Sequence, residues 1–78
     1  MTPAQCRAAR ALIDWKQLEL AKAAGFGLST VVDFEKERRK VSPDAEAAMQ
    51  AALEAAGVIF VAENGEGPGV RLKKKELD

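Results

Sequence analysis

The sequence predicts a mainly α domain of four helices closed by a C-terminal β-hairpin, and three observations carry that prediction. Two capped, proline-led helix starts stand at Thr2-Pro3 and Ser42-Pro43. Between them a short apolar helix face at Leu20, Ala21 and Ala24 is broken at Gly25 and resumes at Leu28. After Gly57 the helical period gives way to Val58-Ile59-Phe60-Val61, a β-branched and aromatic run. The 78 residues allow one domain, 1–78, near the lower limit for a self-supporting core. A chain this small gains by borrowing buried surface from a second subunit.

The first helix begins at Thr2-Pro3-Ala4-Gln5. Thr2 caps, Pro3 fits the first turn, and Gln5 reaches back to close a capping box. Cys6, Ala9 and Ile13, with Leu12 at the margin, form its inner stripe. Cys6 is the sole cysteine and reads as a small apolar core residue. Asp14-Trp15-Lys16 links to the second helix, and Trp15 is expected to cover the open end of the core rather than to contact nucleic acid. The second helix starts at Gln17 and ends at Gly25, which supplies a left-handed residue. Gly27 serves as a permissive N-cap for the third helix, expected over 28–36. Leu28, Val31, Phe34 and Glu35 fall on one side of it; Ser29, Val32, Asp33 and Lys36 fall on the other.

Ser42-Pro43-Asp44 opens the fourth helix, with Asp44 suited to the positive end of its dipole. Its inner stripe runs through Ala45, Ala48, Met49, Ala52, Leu53 and Ala56, and Gly57 ends it. The hairpin follows at 57–75, with strands near 58–62 and 70–74. A tight turn at Asn64-Gly65 would put Pro68 inside the return strand, so a longer loop is expected. Both faces of the first strand are apolar, and one layer of helices covers one face only. Val58, Ile59, Phe60, Val61, Val70 and Leu72 are therefore expected at a two-fold interface with a second copy; the alternative is a hairpin folded wholly onto its own domain.

The segment Gln17 to Val41, QLELAKAAGFGLSTVVDFEKERRKV, resembles the helix-turn-helix of the Xre-like class, the phage repressor and Cro-type regulators. Gln17, Leu20, Ala21, Gly25, Val31, Phe34, Glu35, Arg38 and Arg39 match that pattern in register. Lys16 and Gly27 stand where Ser or Thr is usual, and Glu37 stands where Gly usually closes the recognition helix. The resemblance covers residues 3–56. It implies a lambda-repressor-like DNA-binding fold acting as a homodimeric transcriptional regulator, a repressor, on double-stranded DNA carrying an inverted-repeat operator. It also implies a structural ion pair between Arg10 and Glu35, since a buried carboxylate needs a partner; otherwise Arg10 is a snorkelling surface residue. Gln17 is expected at a phosphate, with the helix N-terminus aimed at the backbone.

In such a fold the outward residues at the start of the recognition helix meet base edges. Here these are Leu28, Ser29, Val32 and Asp33. Leu28 and Val32 suit thymine methyls and Ser29 donates or accepts. Asp33 accepts from a cytosine amino group or orients Arg38 or Arg39. Lys36, Arg38, Arg39 and Lys40 would neutralise phosphates. Lys73-Lys74-Lys75 reads as a solvated tail.

Composition supports the one-sided arrangement. There are 12 basic and 12 acidic residues, so the net charge is zero, which disfavours a generic polyanion binder. Yet four cations fall within 36–40, while 43–68 holds five acids and no Lys or Arg. Without His or Tyr, and with Cys6 on an apolar stripe, enzyme chemistry lacks its parts and no cofactor or metal is expected. No signal peptide or membrane-length apolar run is visible, so a cytoplasmic location, on the nucleoid when DNA-bound, is expected. A small-molecule effector is not expected. The competing reading is a protein-binding module, such as an antitoxin or antiactivator, that keeps the helix-turn-helix fold.

Overall fold

The computed structural model describes residues 1–74. Four helices, α1 (Pro3–Leu12), α2 (Gln17–Ala24), α3 (Leu28–Glu35) and α4 (Pro43–Ala55), precede two antiparallel strands, β1 (Val58–Val61) and β2 (Gly69–Leu72). Both proline-led starts form as the sequence indicates. The Gln5 N–H donates to Thr2 Oγ1 at 3.0 Å while the Thr2 N–H donates to Gln5 Oε1 at 2.8 Å. The Ala45 N–H donates to Ser42 Oγ at 3.1 Å. α2 has a half-box only: the Lys16 N–H donates to Glu19 Oε1, and an ammonium side chain has nothing to accept with.

Three helices end in the same way. Trp15 N–H reaches back to Arg10 O, Phe26 N–H to Ala21 O, and Arg38 N–H to Asp33 O, at 2.9, 3.1 and 2.9 Å. These are Schellman closures, each needing one left-handed residue. Asp14, Gly25 and Glu37 supply it, at φ 56°, 75° and 55°. Only the second is a glycine.

The core gathers Cys6, Ala9, Leu20, Ala21, Val31, Phe34, Val41, Ala45, Met49, Leu53 and Val58. Trp15 and Ile13 pack at its edge, while Leu12 turns to solvent. On α4 the buried residues are Ala45, Met49 and Leu53, with Ala48, Ala52 and Ala56 half-buried beside them. None of the helices among the described residues is long and apolar enough to cross a membrane.

The hairpin pairs Val58 with Leu72, Ile59 with Arg71, Phe60 with Val70 and Val61 with Gly69. Its strands are slightly shorter than expected, and β2 starts one residue earlier, directly after Pro68. The connecting loop is long, as Pro68 requires. The Glu63 carboxylate organises it by accepting the N–H groups of Gly65 and Gly67 at 2.6 and 2.8 Å, and these donors hold its pKa below the usual range. Val58, Phe60 and Val70 pack into the chain's own core. Cross-strand pairs share a face, and this one lies on α1 and α4. The outer face keeps Ile59 and Val61, and Leu72 stands at the open edge; Ile59 and Leu72 are 42% and 51% exposed. Lys75, the last residue of the basic tail, lies outside the described residues.

Candidate nucleic-acid interface

The position of α3 is set from beneath. Glu35, at its last turn, is 1% exposed and collects four side-chain donors. Arg10 grips it with a fork, Nε to Oε2 at 2.6 Å and Nη2 to Oε1 at 2.7 Å. Gln17 Nε2 donates to Oε1 at 3.0 Å, and Cys6 Sγ donates to Oε2 at 3.1 Å. Arg10 Nη1 continues to Trp15 O, and Arg7 Nη1 caps the backbone carbonyl of Glu35. One carboxylate thus joins α1, the α1–α2 link, α2 and α3.

Electrostatics follow from that ring. Burial acts to raise the Glu35 pKa, but the hydrogen bonds from Arg10, Cys6 and Gln17 and the Arg10 charge outweigh it and leave it below the ordinary value. Burial, followed by the Glu35 carboxylate, pushes the Cys6 thiol far upward. Cys6 is therefore a protonated donor, not a nucleophile.

Gln17 is only partly where the sequence put it. One amide hydrogen is committed to Glu35, so the side chain is half-buried and a single N–H is left for an outside acceptor. On the opposite side of α3, Ser29 is exposed and Val32 and Asp33 are half-buried; Leu28, grouped by spacing with the inner residues, is instead 44% exposed at the start of the helix. Lys36, Arg38, Arg39 and Lys40 are all exposed. Asp33 is already paired on one oxygen: Arg39 Nε donates to its Oδ2 at 2.8 Å. Behind this loop, an open groove of about 390 Å³ runs between the starts of α1 and α4, lined by Phe34, Val41, Glu37, Glu46, Arg39 and Lys40. Its charges alternate in sign, so no single-charge ligand is favoured there. No group of His, Cys, Asp and Glu among the described residues is arranged to hold a metal ion.

Sequence reasoning missed three parts of this site. Arg7 capping α3 and Gln17 turning inward carry no local signal. Glu35 being shared by four donors is a property of three helices meeting, which no single spacing encodes. No protein-family model matches the chain, and no curated protein is similar to it.

Proposed function

We propose that the chain is a lambda-repressor-like, Xre-type transcriptional regulator that binds double-stranded DNA sequence-specifically as a homodimer and acts as a repressor. The observation that carries this reading is the two-sidedness of α3. Its inner face is fixed by the Glu35 ring, and its outer face presents short side chains beside four exposed cations. A helix held rigidly from behind, with a cationic loop at its end, suits entry into a major groove. Leu28, Ser29 and Val32 would touch base edges; Lys36, Arg38, Arg39, Lys40 and the remaining Gln17 N–H would meet phosphates. The second copy would pair through Ile59 and Val61 on the outer face, with Leu72 at the open edge of the inner one. A lone two-stranded ribbon is marginal, and Ile59 and Leu72 are the large apolar residues it leaves exposed.

Fluorescence anisotropy against inverted repeats tests the reading. Binding is expected to be best with half-sites about 34 Å apart, or a multiple, and to weaken with salt at a log–log slope of about −0.9 per phosphate contact. Reversing charge at Arg38 and Arg39 should weaken binding to every sequence, and substituting Ser29 or Val32 should change which sequence is preferred. Ile59→Lys should leave the fold intact and shift sedimentation toward monomer. Salt-insensitive or absent binding would reject the proposal.

A second reading, a protein-binding module on the same fold, draws on Leu18, Phe26 and Leu28, three large apolar side chains exposed along the helix-turn-helix segment. Capture of a protein partner from native lysate that persists after nuclease treatment would favour it.

A further inference from the structure

The outer carboxylate of α3 lies on the face that meets DNA in the reading above, where a negative charge is repelled by phosphates. Its surroundings give it a different task from base reading. The Schellman closure of α3 turns the chain at Glu37 and brings residue 39 back beside residue 33. Arg39 Nε then donates to Asp33 Oδ2 at 2.8 Å. Neither Nη1 nor Nη2 of Arg39 has an acceptor among the described residues, and the side chain is 51% exposed. The contrast is Arg10, whose Nε, Nη1 and Nη2 are all engaged inside the protein. A guanidinium held by Nε alone leaves its two terminal amino groups, which lie in one plane, uncommitted. Two phosphate oxygens are matched by that planar fork, and a lysine ammonium has no equivalent geometry.

We propose that Asp33 is a positioning residue: it fixes Arg39 so that Nη1 and Nη2 grip one backbone phosphate, and it reads no base. The assignment rests on the DNA-binding reading and chooses between the two roles expected of Asp33, acceptor at a base edge and orienter of Arg38 or Arg39. It reverses a simple electrostatic expectation. Removing an acid from a DNA-facing surface ordinarily tightens binding. Here Asp33→Ala releases Arg39 and weakens it.

A double-mutant cycle on a fluorescein-labelled mixed-sequence duplex, read by anisotropy at several salt concentrations, tests the pair. Asp33→Ala is expected to bind about 3- to 10-fold more weakly than the parent chain at every sequence, the scale of one charge-assisted contact. Asp33→Asn, whose amide oxygen still accepts from Nε, should bind at least as well as the parent. In an Arg39→Ala background, Asp33→Ala should no longer weaken binding and should tighten it slightly. Thermal melting of the single variants should be unchanged, which separates positioning from a structural role. The proposal is overturned if Asp33→Ala tightens binding with Arg39 present. It is equally overturned if the loss is confined to one base pair of a selected site, or if Asp33→Asn fails to rescue. Binding of the parent chain decides the DNA reading by itself: no duplex binding removes both readings, whereas binding with an additive cycle removes only this one.

Discussion

Two carboxylates on α3, Asp33 and Glu35, are each held by an arginine at nearly the same distance, 2.8 and 2.6 Å. Distance does not separate them; surroundings do. The inner pair is a two-point fork inside a ring of further donors, with Glu35 shielded from water. The outer pair is a single contact at the surface, with about half of the arginine in solvent and Asp33 half-buried. A salt bridge that loses water on both sides must be completed by other hydrogen bonds and is costly to break. One left in water contributes little to stability and remains available to exchange partners. The same helix therefore carries one acid–arginine pair that fixes its place and another that stays open to solvent.

Breaking the inner pair should have the largest effect. Arg10→Ala leaves Glu35 buried without its cation, and a loss of about 3–5 kcal/mol is expected in urea unfolding. Against a total of about 5–15 kcal/mol for domains in general, that threatens the fold outright. Acid sets the next test. The folded Glu35 pKa lies below its ordinary 4.5, so its stabilisation is complete above that value. It is lost as pH falls through the folded value. Melting followed from neutral pH into the acid range should show this decline in the parent chain, and a much flatter profile in Glu35→Gln. Glu37→Gly comes third. It relieves a non-glycine residue at φ 55° and should raise stability by up to about 1 kcal/mol, seen as a higher urea midpoint. The smallest change is expected for Asp33→Ala, within about 0.5 kcal/mol of the parent and further reduced by salt. A large loss there would collapse the contrast between the two pairs.

Much of this architecture is written locally. Thr2-Pro3 and Ser42-Pro43 start helices because a cap and a fixed φ act within one turn, and Gly25 and Gly57 stop them for equally local reasons. The meeting of Arg10 and Glu35 was accessible because an acid on an apolar helix face requires a counterion. Asp14 and Glu37 were not legible as left-handed residues, since neither has the glycine signature and the closing hydrogen bonds form only once the helix is in place. The choice of Arg39 over Arg38 as the partner of Asp33 depends on that same closure. The hairpin was legible in kind, and its facing was not. Alternation alone cannot say whether Val58 and Phe60 or Ile59 and Val61 turn inward when both pairs are apolar. The chain's own helices take the first pair, and the second is left on the outer face.

Gln5 ties the two termini of this arrangement together. It closes the cap of α1 with Thr2, and its Nε2 also donates to Val61 O at 3.2 Å and Gly69 O at 2.9 Å, the last rung of the hairpin. Those partners lie 56 and 64 positions away in the chain. The first turn of α1 and the mouth of the hairpin are thus one cooperative unit, completed only after most of the chain has been ordered. Fraying should spread from one to the other, and the amides of Gln5, Val61 and Gly69 should exchange with solvent at a common rate that separates into two when Gln5 is replaced by Ala.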